Sequence, residues 1–304
     1  MKKGILKYVP DKWFKRKKPR FVTNFTDHNG VIVGKGVGIF TDYNELTKEE
    51  YIQGIISINK IKSDEDKFLV LDNLYLLTVE DINYIENETG LSVIDGKDAR
   101  VYFLTYVLKE IHNFLGEDLT KKEILIISDE SSKTYKLILN LSKEVRFLTV
   151  TGEDEEEIKQ IAEDVYNNTG LSIFFSKNIN RILTNYNIII NLKDNVSLDL
   201  KNIRSKTIIF DLSLEKNLSK ALEKFNSSLV IIKDFLFTYD HFIMESELFE
   251  DKGEIPSYKY EAFKDYNVDD FEKVVVHDKD YSIKELVDNK IRYRIPIKGL
   301  DNKK

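Results

Sequence analysis

Cysteine is absent from this chain of 304 residues. That excludes disulfides, thiolate nucleophiles and cysteine-ligated zinc, haem and iron–sulfur centres. Histidine is scarce: His28, His112, His241 and His277 are scattered singly, so no metal site is expected. No apolar run reaches the eighteen or so residues that a membrane span requires. The basic start of the chain lacks the apolar stretch of a signal peptide, and the expected location is the cytoplasm. Positive charge is not in excess either. The net charge of −6 argues against bulk affinity for nucleic acid. What remains is an ordinary globular composition, 42% hydrophobic and 32% charged, in a length suited to two modest domains.

The first twenty residues stand apart. Lys2, Lys3, Lys7, Lys12, Lys15, Arg16, Lys17, Lys18 and Arg20 face only Asp11, with Trp13 and Phe14 among them. Residues 1–20 read as a basic arm, either a solvated tail or a contact for a membrane surface, nucleic acid or an acidic partner. Residues 21–97 read as a small α/β domain. In it Val31–Val33 and Val37–Phe40 are short strands joined at Gly34-Lys35-Gly36. Thr47 and Glu50 form a capping box, Phe68–Leu71 is a strand, and Thr78–Glu88 is a helix stopped by Gly90. A connecting helix spans residues 98–117.

Residues 118–240 carry the clearest pattern. Apolar runs at Ile124–Ile127, Arg146–Thr151, Leu171–Phe175, Asn187–Ile190, Thr207–Phe210 and Leu229–Ile232 alternate with amphipathic helices at Lys133–Leu141, Glu155–Asn168 and Leu218–Phe225. Near-continuous apolar strands separated by helices predict a Rossmann-like, doubly wound, mostly parallel α/β sheet covered on both faces. Residues 241–304 are less regular, with strands expected at Glu272–Val276 and Arg292–Ile297 and a helix at Ser282–Asn289. This segment is expected to pack back on the N-terminal domain.

In such a sheet ligands bind beyond the carboxyl ends of the strands. The first strand end reads Ser128-Asp129-Glu130-Ser131-Ser132-Lys133. A dinucleotide turn would read G-x-G-x-x-G, its glycines allowing the tight turn, the close approach of pyrophosphate and the packing of helix on strand. Ser128, Glu130 and Lys133 stand in those three places, and two unit charges 4 Å apart repel by roughly 4 kcal/mol at an effective dielectric of 20. Asp129 and Glu130 therefore oppose a pyrophosphate in the usual pose. Lys133 offsets part of this, and Ser131 and Ser132 are placed to cap the helix.

The run Asp118–Ile127, the helix from Glu155 and Asn187-Ile188-Ile189-Ile190-Asn191 resemble the cofactor domain of the shikimate dehydrogenase and glutamyl-tRNA reductase group over about 115 residues. The resemblance implies a Rossmann-like fold, NAD or NADP as cofactor, and an Asn-Ala-Thr strand end at Asn191, although Leu192-Lys193-Asp194 follows instead. It implies a catalytic Asp at Asp95, in Val93-Ile94-Asp95-Gly96, but no Asn-Val-Thr-x-Pro-x-Lys motif exists to supply its lysine. Thr151-Gly152-Glu153 replaces the NADP-reading Arg, leaving Glu153 or Asp154 for a ribose hydroxyl.

Weak cofactor-site candidates are therefore Ser128, Ser131, Ser132, Lys133, Glu153 and Asn191, and the weak catalytic candidate is Asp95. The expectation drawn from the missing glycines and missing lysine is a non-catalytic Rossmann-like protein. Its role would be binding, scaffolding or regulation, with no cofactor and with a protein partner or small ligand. The alternatives are an NAD(P)-dependent oxidoreductase with an altered cofactor site and a surface-associated protein recruited through residues 1–20.

Overall fold

A computed structural model of the chain describes residues 19–27, 29–39, 47–129, 131–238, 242–244, 253–263 and 265–292. The basic arm before Pro19, Glu130 and the strand expected at Arg292–Ile297, from residue 293 on, lie outside the described residues. The chain divides into two compact units. One comprises Met1–Ile94 with Tyr239–Gly253, the other Asp95–Thr238 with Glu254–Lys304.

In the first unit, β1 (Pro19–Asp27) and β2 (Ile32–Ile39) form an antiparallel hairpin. The strand break expected at Gly34-Lys35-Gly36 does not occur. Those residues lie inside β2, flanked by register shifts opposite β1, as glycine in a strand accommodates a bulge. The turn lies earlier, at Gly30, whose φ is 78°, and Asp27 Oδ1 accepts the Asn29 and Val31 N–H groups there. Helix α1 (Lys48–Ile56) starts with the Thr47–Glu50 capping box. Strand β3 (Phe68–Leu69) is only two residues long, shorter than its apolar run suggests. Helix α2 (Val79–Thr89) ends at Gly90 in the left-handed conformation, and β4 (Ser92–Val93) pairs parallel with β3.

The second unit opens with α3 (Lys97–Leu115) and continues through β5 (Glu123–Ile127), α4 (Ser132–Leu141), β6 (Phe147–Thr151), α5 (Glu155–Thr169), β7 (Ile173–Phe175), β8 (Ile188–Asn191), β9 (Ile208–Asp211), α6 (Asn217–Phe225) and β10 (Val230–Phe237). The strands lie side by side in the order β10-β9-β8-β5-β6-β7, all pairs parallel. Numbered by appearance, that is 3-2-1-4-5-6 read from β7, the doubly wound dinucleotide-fold order with its switch point between β5 and β8. The central strands β5, β8 and β9 are apolar but for one end residue each, because both their faces are buried. Ile124, Leu125, Ile126, Ile189, Ile190 and Ile209 are fully enclosed. On one face Leu125, Ile127, Ile189, Ile209 and Ile231 pack with Leu218, Leu222 and Tyr186.

After β10 the chain leaves for β11 (Phe242–Met244), antiparallel to β1. It returns as β12 (Ile255–Pro256), α7 (Ser257–Glu261), β13 (Phe271–Val276), β14 (Lys279–Tyr281) and α8 (Ile283–Leu286). The expectation that the tail as a whole packs on the N-terminal domain is corrected: Tyr239–Gly253 groups with the first unit, whereas β12 and β13 pair antiparallel with β10 and extend the parallel sheet. This pairing also explains why β10 runs on past its apolar start to Phe237, since its outer half is clamped by β12 and β13. Phe103, Phe237, Tyr260 and Phe271 fill the core beneath it, with Phe237 and Tyr260 stacked 4.1 Å apart. No helix among the described residues is long and apolar enough to cross a membrane.

Candidate functional site at the carboxyl ends of the strands

The loop that follows β5 folds around Asp129. Its Oδ1 accepts hydrogen bonds from Ser131 Oγ at 2.7 Å, Thr134 Oγ1 at 2.9 Å and Ser131 N at 3.3 Å. Its Oδ2 receives Lys97 Nζ at 3.0 Å. Ser128 is wholly buried and its Oγ lies 3.1 Å from Thr134 Oγ1. The threonine proton is given to Asp129, so Ser128 is the donor in that pair. Ser131 caps α4 by accepting from Lys133 N. Ser132 is the exposed first residue of α4. A carboxylate thus sits where the helix N-terminus would otherwise present amides to phosphate. Burial pushes the Asp129 acid up, but Lys97 and the Ser131 and Thr134 donors outweigh it and hold the carboxyl below its usual range.

These residues do not fit a pyrophosphate laid on the first turn. The Ser131 and Lys133 amides are already taken, and the Asp129 charge would oppose a second anion. Positive groups do surround the turn. Lys97, almost fully buried, also reaches Leu192 O at 3.3 Å and so ties the ends of β5 and β8 together across the switch point. Lys193, just beyond β8, places Nζ 2.6 Å from Glu153 Oε1, just beyond β6. Since β5 lies between β6 and β8, this second bridge spans the same crevice. Asp154 is committed as the N-cap of α5, accepting from Glu156 N and Glu157 N.

Asp95 lies at the start of α3, where Oδ1 accepts Lys97 N at 2.8 Å. Its neighbour Gly96 has a φ of 79° and is pressed against α7: a Cβ there would lie 2.4 Å from Ser257 Oγ and 2.6 Å from Tyr258 N. Lys133, on the altered turn itself, brings Nζ to 3.8 Å from Asp95 and 3.6 Å from Asp98. Burial raises the Asp95 acid, and Lys133, Arg100 and the Lys97 amide more than reverse it. Glu261 of α7 completes this end of α3 by accepting Ala99 N at 3.0 Å, and burial and Asp95 push its acid up.

Asn191 has no exposed surface. Its Nδ2 donates to Lys193 O and Asp211 Oδ1, both at 2.9 Å, and its Oδ1 accepts Lys193 N. Asp211 ends β9 and is also fully enclosed. It accepts from Ser213 Oγ and Ser219 Oγ at 2.6 Å and from the Ser213 and Ser219 amides. Burial raises this acid too, yet Lys216 and the hydroxyl donors leave it below its ordinary value.

The ionic row continues with Arg100, Asp194, Lys216 and Asp234. The sequence assigned no role to these residues, because charged side chains in helices and between apolar runs normally read as solvated. A buried Arg inside an amphipathic helix was the available signal. Among the described residues, no group of three or more His, Asp or Glu side chains is arranged to hold a metal ion. A cleft of about 160 Å³ at the opposite, amino ends of the strands is lined by His112, Lys122, Asn187 and Ile208 among others. It is smaller than the ~300–1,000 Å³ usual for ligand pockets.

No family model matches this sequence, and no curated protein does. Solved structures are similar to it in part. Quinate dehydrogenase from Corynebacterium glutamicum in complex with NAD is 12% identical, with a TM-score of 0.33 over 45% of this chain and 51% of that one. Shikimate dehydrogenase from Aquifex aeolicus is 14% identical, with a TM-score of 0.31 over 41% and 46%. L-tryptophan dehydrogenase from Nostoc punctiforme is 13% identical, with a TM-score of 0.37 over 66% and 58%. The matches thus cover about half the length of those chains. At these values the likeness concerns the fold, which the strand order establishes independently. The expectation of no cofactor is corrected by these matches, since they include an enzyme solved with NAD.

Proposed function

We propose that this chain is a nicotinamide-nucleotide-dependent oxidoreductase with an altered cofactor site that favours NAD over NADP. The observation that carries the reading is the placement of Glu153. It follows the second strand of a 3-2-1-4-5-6 sheet, about twenty residues beyond the first turn, where an acidic side chain accepts ribose hydroxyls and repels a 2′-phosphate. Its ion pair with Lys193 is exposed on the glutamate side and is therefore easily exchanged for a ligand. No pyrophosphate contact is assigned to the α4 amides, which Asp129 and Ser131 occupy. Lys97, Lys133 and Lys193 are the cations around the turn, and Asp95 with Lys133 is the pair available to hold a proton beside it.

The test is a thermal-shift titration with NAD, NADP and buffer alone. Saturation at 100 times Kd stabilises a fold by about 2.7 kcal/mol, so NAD should raise the unfolding midpoint clearly and NADP less. Equal responses to the two, or none, would remove the reading. A non-catalytic binding or regulatory module is the second reading, favoured by the Asp129 carboxylate filling the α4 N-terminus. A nucleotide response without hydride exchange into any carbonyl or alcohol offered would favour it over the first.

A further inference from the structure

Buried Arg100 and half-buried Lys216 lie together at the carboxyl end of β9. Arg100 Nη2 donates to Leu212 O at 3.2 Å, and Lys216 Nζ donates to Asp211 O at 2.5 Å, so the two side chains hold consecutive carbonyls. Arg100 is only 3% exposed. Its Nη1 donates to Ser257 Oγ at 2.9 Å and lies 3.6 Å from Asp234 Oδ1, yet its Nε has no hydrogen-bond partner. A buried donor left unpaired is costly, which makes it a sign of a missing acceptor.

Two features of the backbone converge on the same spot. Lys216 is in the left-handed conformation, φ 56°, which is strained for a residue with a Cβ. Such strain clusters at functional sites. The register of β10 against β13 shifts between Ile232 and Asp234, an irregularity of the kind that re-aims side chains next to active sites. Here Asp234 is the residue brought to Arg100.

We propose that Lys216 is a nucleophilic amine and Arg100 the anchor for the carboxylate of a small 2-oxo acid. The oxo acid's carboxylate accepts the unpaired Arg100 Nε–H. The Lys216 nitrogen lone pair attacks the oxo carbon and forms a C–N bond. A proton passes from nitrogen to the former carbonyl oxygen, and the resulting carbinolamine loses water to leave the imine. No oxidant or reductant takes part. The groups facing the amine are Arg100 of α3, Asp211 of β9, Asp234 of β10 and Asp194 of the loop after β8. Burial first, and then Arg100, bring the Lys216 amine down to about 7, against the pull of Asp211, Asp234 and Asp194. It is therefore substantially neutral where an ordinary lysine is not. This site is separate from the nucleotide reading.

The experiment uses the full chain without nucleotide. The protein is incubated with pyruvate and cyanoborohydride at pH 7, and adducts are mapped to individual lysines by peptide mass spectrometry, with acetone as the uncharged control. Lys216 should be labelled at least about tenfold faster than exposed lysines, because its neutral fraction is so much larger. That preference should shrink with acetone, which offers Arg100 nothing to bind. Lys216→Arg should lose the fast adduct, and Arg100→Lys should weaken it for pyruvate alone. Wild-type mapping decides the matter even if a variant fails to fold: Lys216 labelled no faster than surface lysines, or equally favoured by acetone, overturns the proposal. Because no nucleotide is present, its failure is distinguishable from failure of the NAD titration.

Discussion

Lys193 and Glu153 meet across the carboxyl end of β5, Nζ to Oε1 at 2.6 Å, although one follows β8 and the other β6. The glutamate is thereby held over the crevice but largely open to water. Lys193→Met should release it from that lysine and make it more available to a ribose. We expect the NAD-induced rise in unfolding midpoint to increase in that variant and to fall in Glu153→Gln, with the ligand-free midpoints of both close to wild type. Differential scanning fluorimetry with and without NAD reads both effects.

Gly96 makes a sharper mechanical prediction. An alanine there must hold a φ of 79° and place a methyl group 2.4 Å from Ser257 Oγ and 2.6 Å from the Tyr258 amide nitrogen. The left-handed conformation costs about 1–2 kcal/mol, and overpacking typically adds about 1–3. Urea unfolding of Gly96→Ala should show a loss of roughly 2–5 kcal/mol; a loss below about half a kcal/mol would contradict the close approach of α3 and α7.

Acid should act through Asp129 and Asp211, whose carboxyls are both held below their ordinary values. A depressed folded value means that the unfolded chain takes up protons first. The stability these groups contribute is complete above about pH 4 and is lost as pH falls through their folded values. Asp129→Asn should therefore flatten the decline in unfolding midpoint between pH 5 and pH 3, and an unchanged slope would show that Asp129 is not one of the groups responsible.

Lys216 should behave in the opposite sense. Its folded value near 7 lies below the 10.5 of a free lysine, so between those limits the unfolded state binds more protons. The penalty for burying it is largest below about pH 7 and fades as pH rises toward 10.5. Lys216→Met, compared with wild type in denaturant titrations at pH 6 and pH 9, should be relatively more stable at the lower pH. The reverse ordering would refute the lowered amine.

Much of the fold was legible because periodicity reports burial. The six parallel strands and their helices stand within a few residues of where apolar runs placed them, and Gly90, Gly116 and Gly170 end their helices in the left-handed conformation. What the sequence concealed was partnership over distance. Nothing local reveals that Lys133 answers Asp95, that Asp129 takes Lys97 from thirty-two positions earlier in the chain, or that β13 clamps β10. The glycine-poor turn was visible, but its meaning was not. Asp129 turned out to be folded inward, held by Ser131 and Thr134 and with its charge answered by Lys97, rather than displayed toward a ligand.

The chain's excursion between β10 and β12 has a consequence for biosynthesis. Strand β11 joins β1 through the register Phe25↔Met244, and β13 joins β10 through Ile232↔Val276. Each compact unit is therefore completed by residues that follow β10, and neither can close its sheet on a ribosome that has stopped near Phe237. Pairings so far apart in sequence close slowly, which leaves both sheets with open edges until β11 and β13 have been made.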